Sequence, residues 1–212
     1  MSELSDVQRT GSTSATVKRA AIVAVLSFVL GGLTAYAQGF LPDAAAPIAN
    51  SASGWTVLTA LLVYWSRSPV GTAAALGAVS FVLLVLGYTA ASEFRGAYYN
   101  PLMFSVIGIL AGPFVGAAAS WLRANDLRAA LGTAVLAGIG IGEAVYGLTT
   151  VRDTTDPTYW TIIGLVGAAL LLGMLIRRIR GAQSVAIAVT GTIIIAAAFL
   201  FAYRSIGNIA LS

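Results

Sequence analysis

The stretch PLMFSVIGILAGPFVGAAASWL, Pro101 to Leu122, carries no ionisable side chain from end to end. An apolar helix needs roughly 20 residues to cross a hydrocarbon core of about 30 Å, so this run is long enough to span a bilayer. Pro101 opens it at a position where a missing N–H costs little. Within it Gly108, Gly112, Gly116 and Ser120 recur every four residues and form one small face, with Pro113 placed to kink the helix beside it. Lipid supplies no hydrophobic drive for helix association, so close backbone approach along such a face must supply it. The face is therefore read as an internal packing seam in preference to an oligomer contact. Ala134, Gly138 and Gly142 repeat the device, and Gly71, Ala75 and Val79 offer a weaker version.

Further apolar runs flank this one: Ala20 to Leu41, Pro47 to Trp65, Pro69 to Thr89, Leu127 to Thr149, Tyr159 to Ile179 and Ala182 to Tyr203. The expected fold class is all-α, a polytopic transmembrane bundle of seven helices over residues 18–212, preceded by a polar cytoplasmic tail over residues 1–17. A signal-peptide reading competes, because Lys18 and Arg19 precede an apolar stretch ending in Ala35, Tyr36 and Ala37. The run continues through Phe40 and Leu41, which favours a retained span.

Composition agrees. Of 212 residues, 58% are hydrophobic and 9% charged, against roughly 25% charged in soluble domains. A water-soluble globule is excluded. Histidine and cysteine are both absent, which removes imidazole bases, thiolate nucleophiles and ordinary zinc sites. No catalytic residue, metal or cofactor is expected, and the chain is not read as an enzyme. The only lysine is Lys18, so no retinal Schiff base can form in a late helix.

Lys and Arg divide unevenly between alternate sides. One side has Arg9, Lys18, Arg19, Arg67, Arg123, Arg128, Arg177, Arg178 and Arg180; the other has Arg95, Arg152 and Arg204. The positive-inside rule then predicts an internal amino terminus and an external carboxyl terminus in the cell membrane. Basic residues at helix ends, not in one patch, give no nucleic-acid surface. Trp65 and Trp121 are expected as inner interfacial anchors, with Trp55 and Trp160 as outer ones.

Polar groups gather on the outer side. Seven of the eight tyrosines fall there, Tyr64 being the exception. Glu143 is the sharpest signal, about 9 Å inside the outer end of its helix at 1.5 Å per residue. An intramembrane carboxylate is costly and needs a partner, and Arg95, Arg152 and Tyr146 are the candidates. The competing reading makes Glu143 a structural tie between helices. The proposed ligand-binding residues are Glu143, Tyr146, Asn50, Tyr98, Tyr99, Asn100, Glu93 and Arg95. Asn50, Ser51, Ser53 and Gly54 are read as lining a wet cavity, and Asp153 and Asp156 as a capped, solvated turn.

With these residues in view, the chain resembles a family of multipass actinobacterial membrane proteins known only as a domain of unknown function. The likeness rests on QGFLPDAAAPIANSASGW (Gln38 to Trp55), GYTAASEFRGAYY (Gly87 to Tyr99), AGPFVG (Ala111 to Gly116) and GEAVYGL (Gly142 to Leu148). It implies no activity, but implies that Gln38, Asn50, Tyr88, Gly112, Pro113, Glu143 and Tyr146 belong to a family pattern. In size and in its outward aromatic and acidic cluster the chain also looks like the substrate-capture subunits of energy-coupling-factor vitamin importers. The expected function is binding or transport of a small solute, cationic or neutral and aromatic, through an outward recess. The alternative is a non-catalytic accessory or scaffold subunit. The expected partners are the lipid bilayer, a small-molecule ligand, and a membrane protein or second copy of the chain.

Overall fold

A computed structural model describes the backbone of residues 2–210 and the side chains of residues 16–205. The side chains of the polar tail before Thr16, Arg9 among them, lie outside the described residues. The chain forms α1 (Ser2–Ala37), α2 (Ala52–Ser66), α3 (Val70–Phe94), α4 (Leu102–Trp121), α5 (Asp126–Thr149), α6 (Pro157–Arg177) and α7 (Ala182–Ala210). Six of these, all but α2, contain segments long and apolar enough to cross a membrane. The chain is a membrane protein by that architecture.

The exception corrects the expected second span. The run Pro47 to Trp65 is not one helix: Ala46–Asn50 is a 3-10 turn, and α2 begins only after Ser51 and has 15 residues. At 1.5 Å per residue α2 is about 22 Å long. Two local choices set its start. Pro42 and Pro47 break regular hydrogen bonding before it, and Ser51 adopts an extended backbone while its Oγ accepts from the Gly54 N–H. Its other end is set by Arg67, which takes a left-handed conformation at φ 54°.

Helix direction follows from pairs in contact. Ser27 meets Ser80 and Gly31 meets Leu84, so α1 and α3 run parallel. Gly138 meets Ile195 and Tyr146 meets Tyr203, so α5 and α7 do too. Phe81 with Gly108, and Ala73 with Gly116, make α3 and α4 antiparallel; Gly147 with Trp160, and Ala137 with Gly167, do the same for α5 and α6. Arg19 reaches the Ser66 carbonyl, which sets α2 against α1. The odd-numbered helices run one way and the even-numbered ones the other. One end of the bundle carries Arg19, Arg67, Arg123 and Arg178; it is called the basic end below.

The α4 seam packs inside the molecule. A Cβ on Gly112 or Gly116 would fall on the backbone of α3, at Ala78 and Ala73 respectively. Gly138 and Gly142 pack against Ile195 and Ala196 of α7. On α3 the contact glycines are Gly77 and Gly87, not the expected Gly71, beside which there is open space, nor Val79, which faces outward. Two of the tryptophan expectations are also corrected. Trp55 is only 4% exposed and sits among Phe81, Tyr88 and Phe104; Trp160 is 6% exposed, its ring against Gly147. Both find hydrogen-bond partners inside the bundle, Ala49 O and Thr155 Oγ1, so neither needs the membrane interface.

Candidate functional site

The α1, α3, α4 group and the α5, α6, α7 group approach each other backbone to backbone at the basic end. There Gly132 of α5 approaches Ala118 of α4, and Arg178, at the close of α6, donates to the Arg123 carbonyl just beyond α4. At the opposite end α2 fills the gap between the groups, and its first turn is where they are tied. Ala52 N–H donates to Glu143 Oε1 at 2.8 Å, and Ser53 N–H donates to Oε2 at 2.6 Å. Ser51 Oγ and the Tyr159 hydroxyl share a second hydrogen bond across the same gap.

Glu143 is 1% exposed. The first N–H groups of a helix have no partners of their own and carry a partial positive charge, so a carboxylate beside them is stabilised without a basic side chain. Of the expected partners, the two arginines are thus corrected. Arg95 donates to Ala35 O and lies over the Tyr36 ring, while Arg152 pairs with the adjacent Asp153 at 3.8 Å on the exposed rim. A guanidinium would have to be carried into the bundle, whereas α2 brings its own donors.

Above this tie lies a polar recess of about 740 Å³. Its existence follows from the backbone. Residues 38–51 descend from the end of α1 to the start of α2 with few repeating hydrogen bonds, and irregular backbone at membrane depth needs protein or water around it. Asn50 and Ser51 contribute from that descent and Arg95 from the end of α3. Glu143, Tyr146 and Tyr203 come from α5 and α7, and Trp160 from α6. Tyr88 lines it too, with its hydroxyl donating to Gln38 Oε1.

Of the residues singled out in the sequence, Glu143, Tyr146, Asn50 and Arg95 are brought together here. The other four lie elsewhere. Tyr98 is 85% exposed outside the recess, and Glu93 is exposed on the last turn of α3. Asn100 accepts from the Leu102 N–H and so caps α4. Tyr99 turns inward, stacking on Phe104 and edge-on to Tyr88; burial first, and the neighbouring Tyr88 second, raise its hydroxyl well above the ordinary tyrosine range. Glu93 ends α3 and the other three follow it in the α3–α4 loop, where Arg95 and Ala97 face the recess while Tyr99 packs over Tyr88. Thr154 and Thr155 were missed as lining residues, since the loop after α5 carries no apolar period to show which way it folds, and Trp160 of α6 was read as an interfacial anchor.

The sequence profile of DUF6518, a family of unknown function, matches residues 10–208. The chain belongs to this family. The match takes in every helix of the bundle and all of the recess, including the Gln38 to Trp55 descent. No curated protein and no solved structure matches the chain. Membership therefore identifies an uncharacterised membrane protein without assigning chemistry to it.

Proposed function

We propose that the recess binds a small polar solute from the extracytoplasmic side, and that the protein captures or transports it across the cell membrane. The observation that carries this reading is the recess itself: about 740 Å³ between two helix groups, floored by the first turn of α2. That volume suits a small molecule, and its walls mix flat aromatic faces (Tyr88, Tyr146, Trp160) with amide and hydroxyl groups (Gln38, Asn50, Thr154). The side follows from the positive-inside rule, because the recess lies opposite the basic end.

Of the two solute classes expected from the sequence, cationic and neutral, the geometry favours the neutral one. Both oxygens of Glu143 already accept from α2, so its charge is largely answered before a ligand arrives. Glu143 is assigned to positioning the floor, and contact with the solute to Asn50, Tyr146 and Arg95. Movement of one helix group against the other would open or close the space between them, with the Glu143 tie as the point that must yield.

The test is a metabolite screen by thermal shift on protein purified in mild detergent, with native mass spectrometry for co-purified molecules. Asn50→Ala and Tyr146→Phe, the latter keeping the ring against Tyr203, are expected to keep the ligand-free melting temperature and weaken the ligand-dependent rise. A screen with no stabilising solute, together with an empty mass spectrum, would overturn the reading. It would favour the scaffold alternative, which the saturated hydrogen bonding of Glu143 also fits.

A further inference from the structure

A second large cavity is independent of the recess. It is an apolar groove of about 660 Å³ on the flank of the bundle, where α2, α5 and α6 do not close on one another. Its walls include Val57 and Leu61 of α2, Leu136 and Ile139 of α5, and Val166 and Leu170 of α6. The hollow follows from the glycines that line it. Gly140 and Gly167 let α5 and α6 approach, and a Cβ on Gly173 would meet no atom within 4 Å.

The groove is charged at one end, while the polar residues lining its other end are the buried hydroxyls of Ser53 and Thr56. Arg177 and Arg178, at the close of α6, line the charged end together with Asn125 and Tyr64. Arg178 is braced by donating to the Arg123 carbonyl at 3.0 Å, and Arg123 in turn donates to the Tyr64 carbonyl at 2.6 Å. The nearest acid on these elements, Asp126, is engaged through Oδ1 by the Arg180 N–H, and the one ion pair among the described residues is Arg152 with Asp153 at the other end. Two guanidinium groups thus stand at the foot of an apolar channel with no carboxylate pairing them among the described residues.

The dimensions fit one occupant. From Ile163 to Arg177 the groove follows α6 for about 21 Å, against about 15 Å of hydrocarbon in one leaflet of a 30 Å core. Basic pockets between helices on the cytoplasmic side hold anionic headgroups. We propose that this groove is a binding site for one anionic phospholipid, with an acyl chain between α2 and α6 and the phosphate held by Arg177 and Arg178. The acyl chain occupies the open space beside Gly173, and the phosphate accepts hydrogen bonds from the two guanidinium groups.

The full chain in dodecyl maltoside is incubated with equal amounts of dioleoyl phosphatidylglycerol and dioleoyl phosphatidylcholine, and retained lipid is counted by native mass spectrometry. The expected result is one retained phosphatidylglycerol, favoured roughly tenfold or more over phosphatidylcholine. Arg177→Gln, the milder of the two arginine changes because Arg178 also braces Arg123, should cut that preference about fivefold. Gly173→Leu, whose Cβ would meet no protein atom within 4 Å and whose side chain takes up space in the groove, should lower retention of both lipids. Glycerol phosphate, the headgroup chemistry without tails, should not displace the bound lipid. Equal retention of the two lipids, or an anionic preference that survives both variants, overturns the proposal. Displacement by glycerol phosphate overturns it as well, leaving a phosphate site with no lipid. Should Gly173→Leu misfold, Arg177→Gln decides the matter alone.

Discussion

Replacing Glu143 by glutamine tests the tie between the two helix groups. The wild-type carboxylate accepts two backbone N–H bonds at 2.8 and 2.6 Å while fully buried. Glutamine keeps one oxygen acceptor but turns an NH2 group toward the second N–H, so one bond is lost and the other loses its charge. With charged hydrogen bonds contributing about 1.5–3 kcal/mol each and neutral ones about 1, the cost is about 3 kcal/mol. For a chain of this size that corresponds to a fall of about 6–12 °C in Tm. Glu143→Asp keeps the charge but withdraws the carboxylate by about 1.5 Å, and should fall between wild type and Glu143→Gln. Intrinsic tryptophan fluorescence during a thermal scan in dodecyl maltoside reads the shift, with circular dichroism confirming that helix content at 20 °C is unchanged. A Glu143→Gln Tm indistinguishable from wild type would refute the capping argument and leave α2 held by apolar packing alone.

Four further outcomes are expected. Tyr99→Phe removes a buried hydroxyl that finds no hydrogen-bond partner among the described residues, so it should leave Tm unchanged or raise it by the equivalent of up to about 1 kcal/mol; a clear fall would show the hydroxyl is satisfied. Gly77→Ala would drive a Cβ onto the Gly112 carbonyl and should lower Tm, whereas Gly71→Ala, with open space beside it, should gain up to about 1 kcal/mol of helix propensity. Equal effects of the two in the same scan would contradict the α3–α4 packing. Asp156 accepts from Thr158 as the N-cap of α6, which holds its carboxyl below the usual carboxylate range. Its contribution is therefore complete above the unfolded pKa of about 3.9 and is lost as pH falls through the lower folded value. Asp156→Asn should keep the cap and flatten that part of the Tm against pH curve, and an unchanged curve would place the acid sensitivity elsewhere.

Much of the architecture is legible in the chain because apolar length and small-residue spacing are local signals. The six long helices and the α4 and α5 seams were readable on those grounds. What escaped depends on contacts that local pattern does not encode. The run Pro47 to Trp65 is apolar enough for a span, yet Ser51 starts the helix four residues later by capping Gly54. Glu143 announces itself as a costly carboxylate, but its partners are backbone N–H groups, which every residue except proline possesses and no side-chain search can find. Trp55 and Trp160 look like interfacial anchors by depth; only the tertiary partners of their indole N–H groups reveal that they are interior. Tyr98, Tyr99, Asn100 and Glu93 share the polarity of the recess end without sharing the recess, because polarity fixes depth and not azimuth around the bundle.

The account rests on water reaching the α2 terminus from outside the cell, and the absence of cysteine from the chain makes that directly measurable. Asn50→Cys places a thiol in the recess, and Leu165→Cys places one on the outward apolar face of α6. A membrane-impermeant thiosulfonate applied to intact cells is attacked only by a hydrated thiolate, which forms the mixed disulfide and expels sulfinate. The account predicts that Asn50→Cys is modified before permeabilisation and Leu165→Cys is not. Modification of Asn50→Cys only after the membrane is opened, or at no stage, would contradict it.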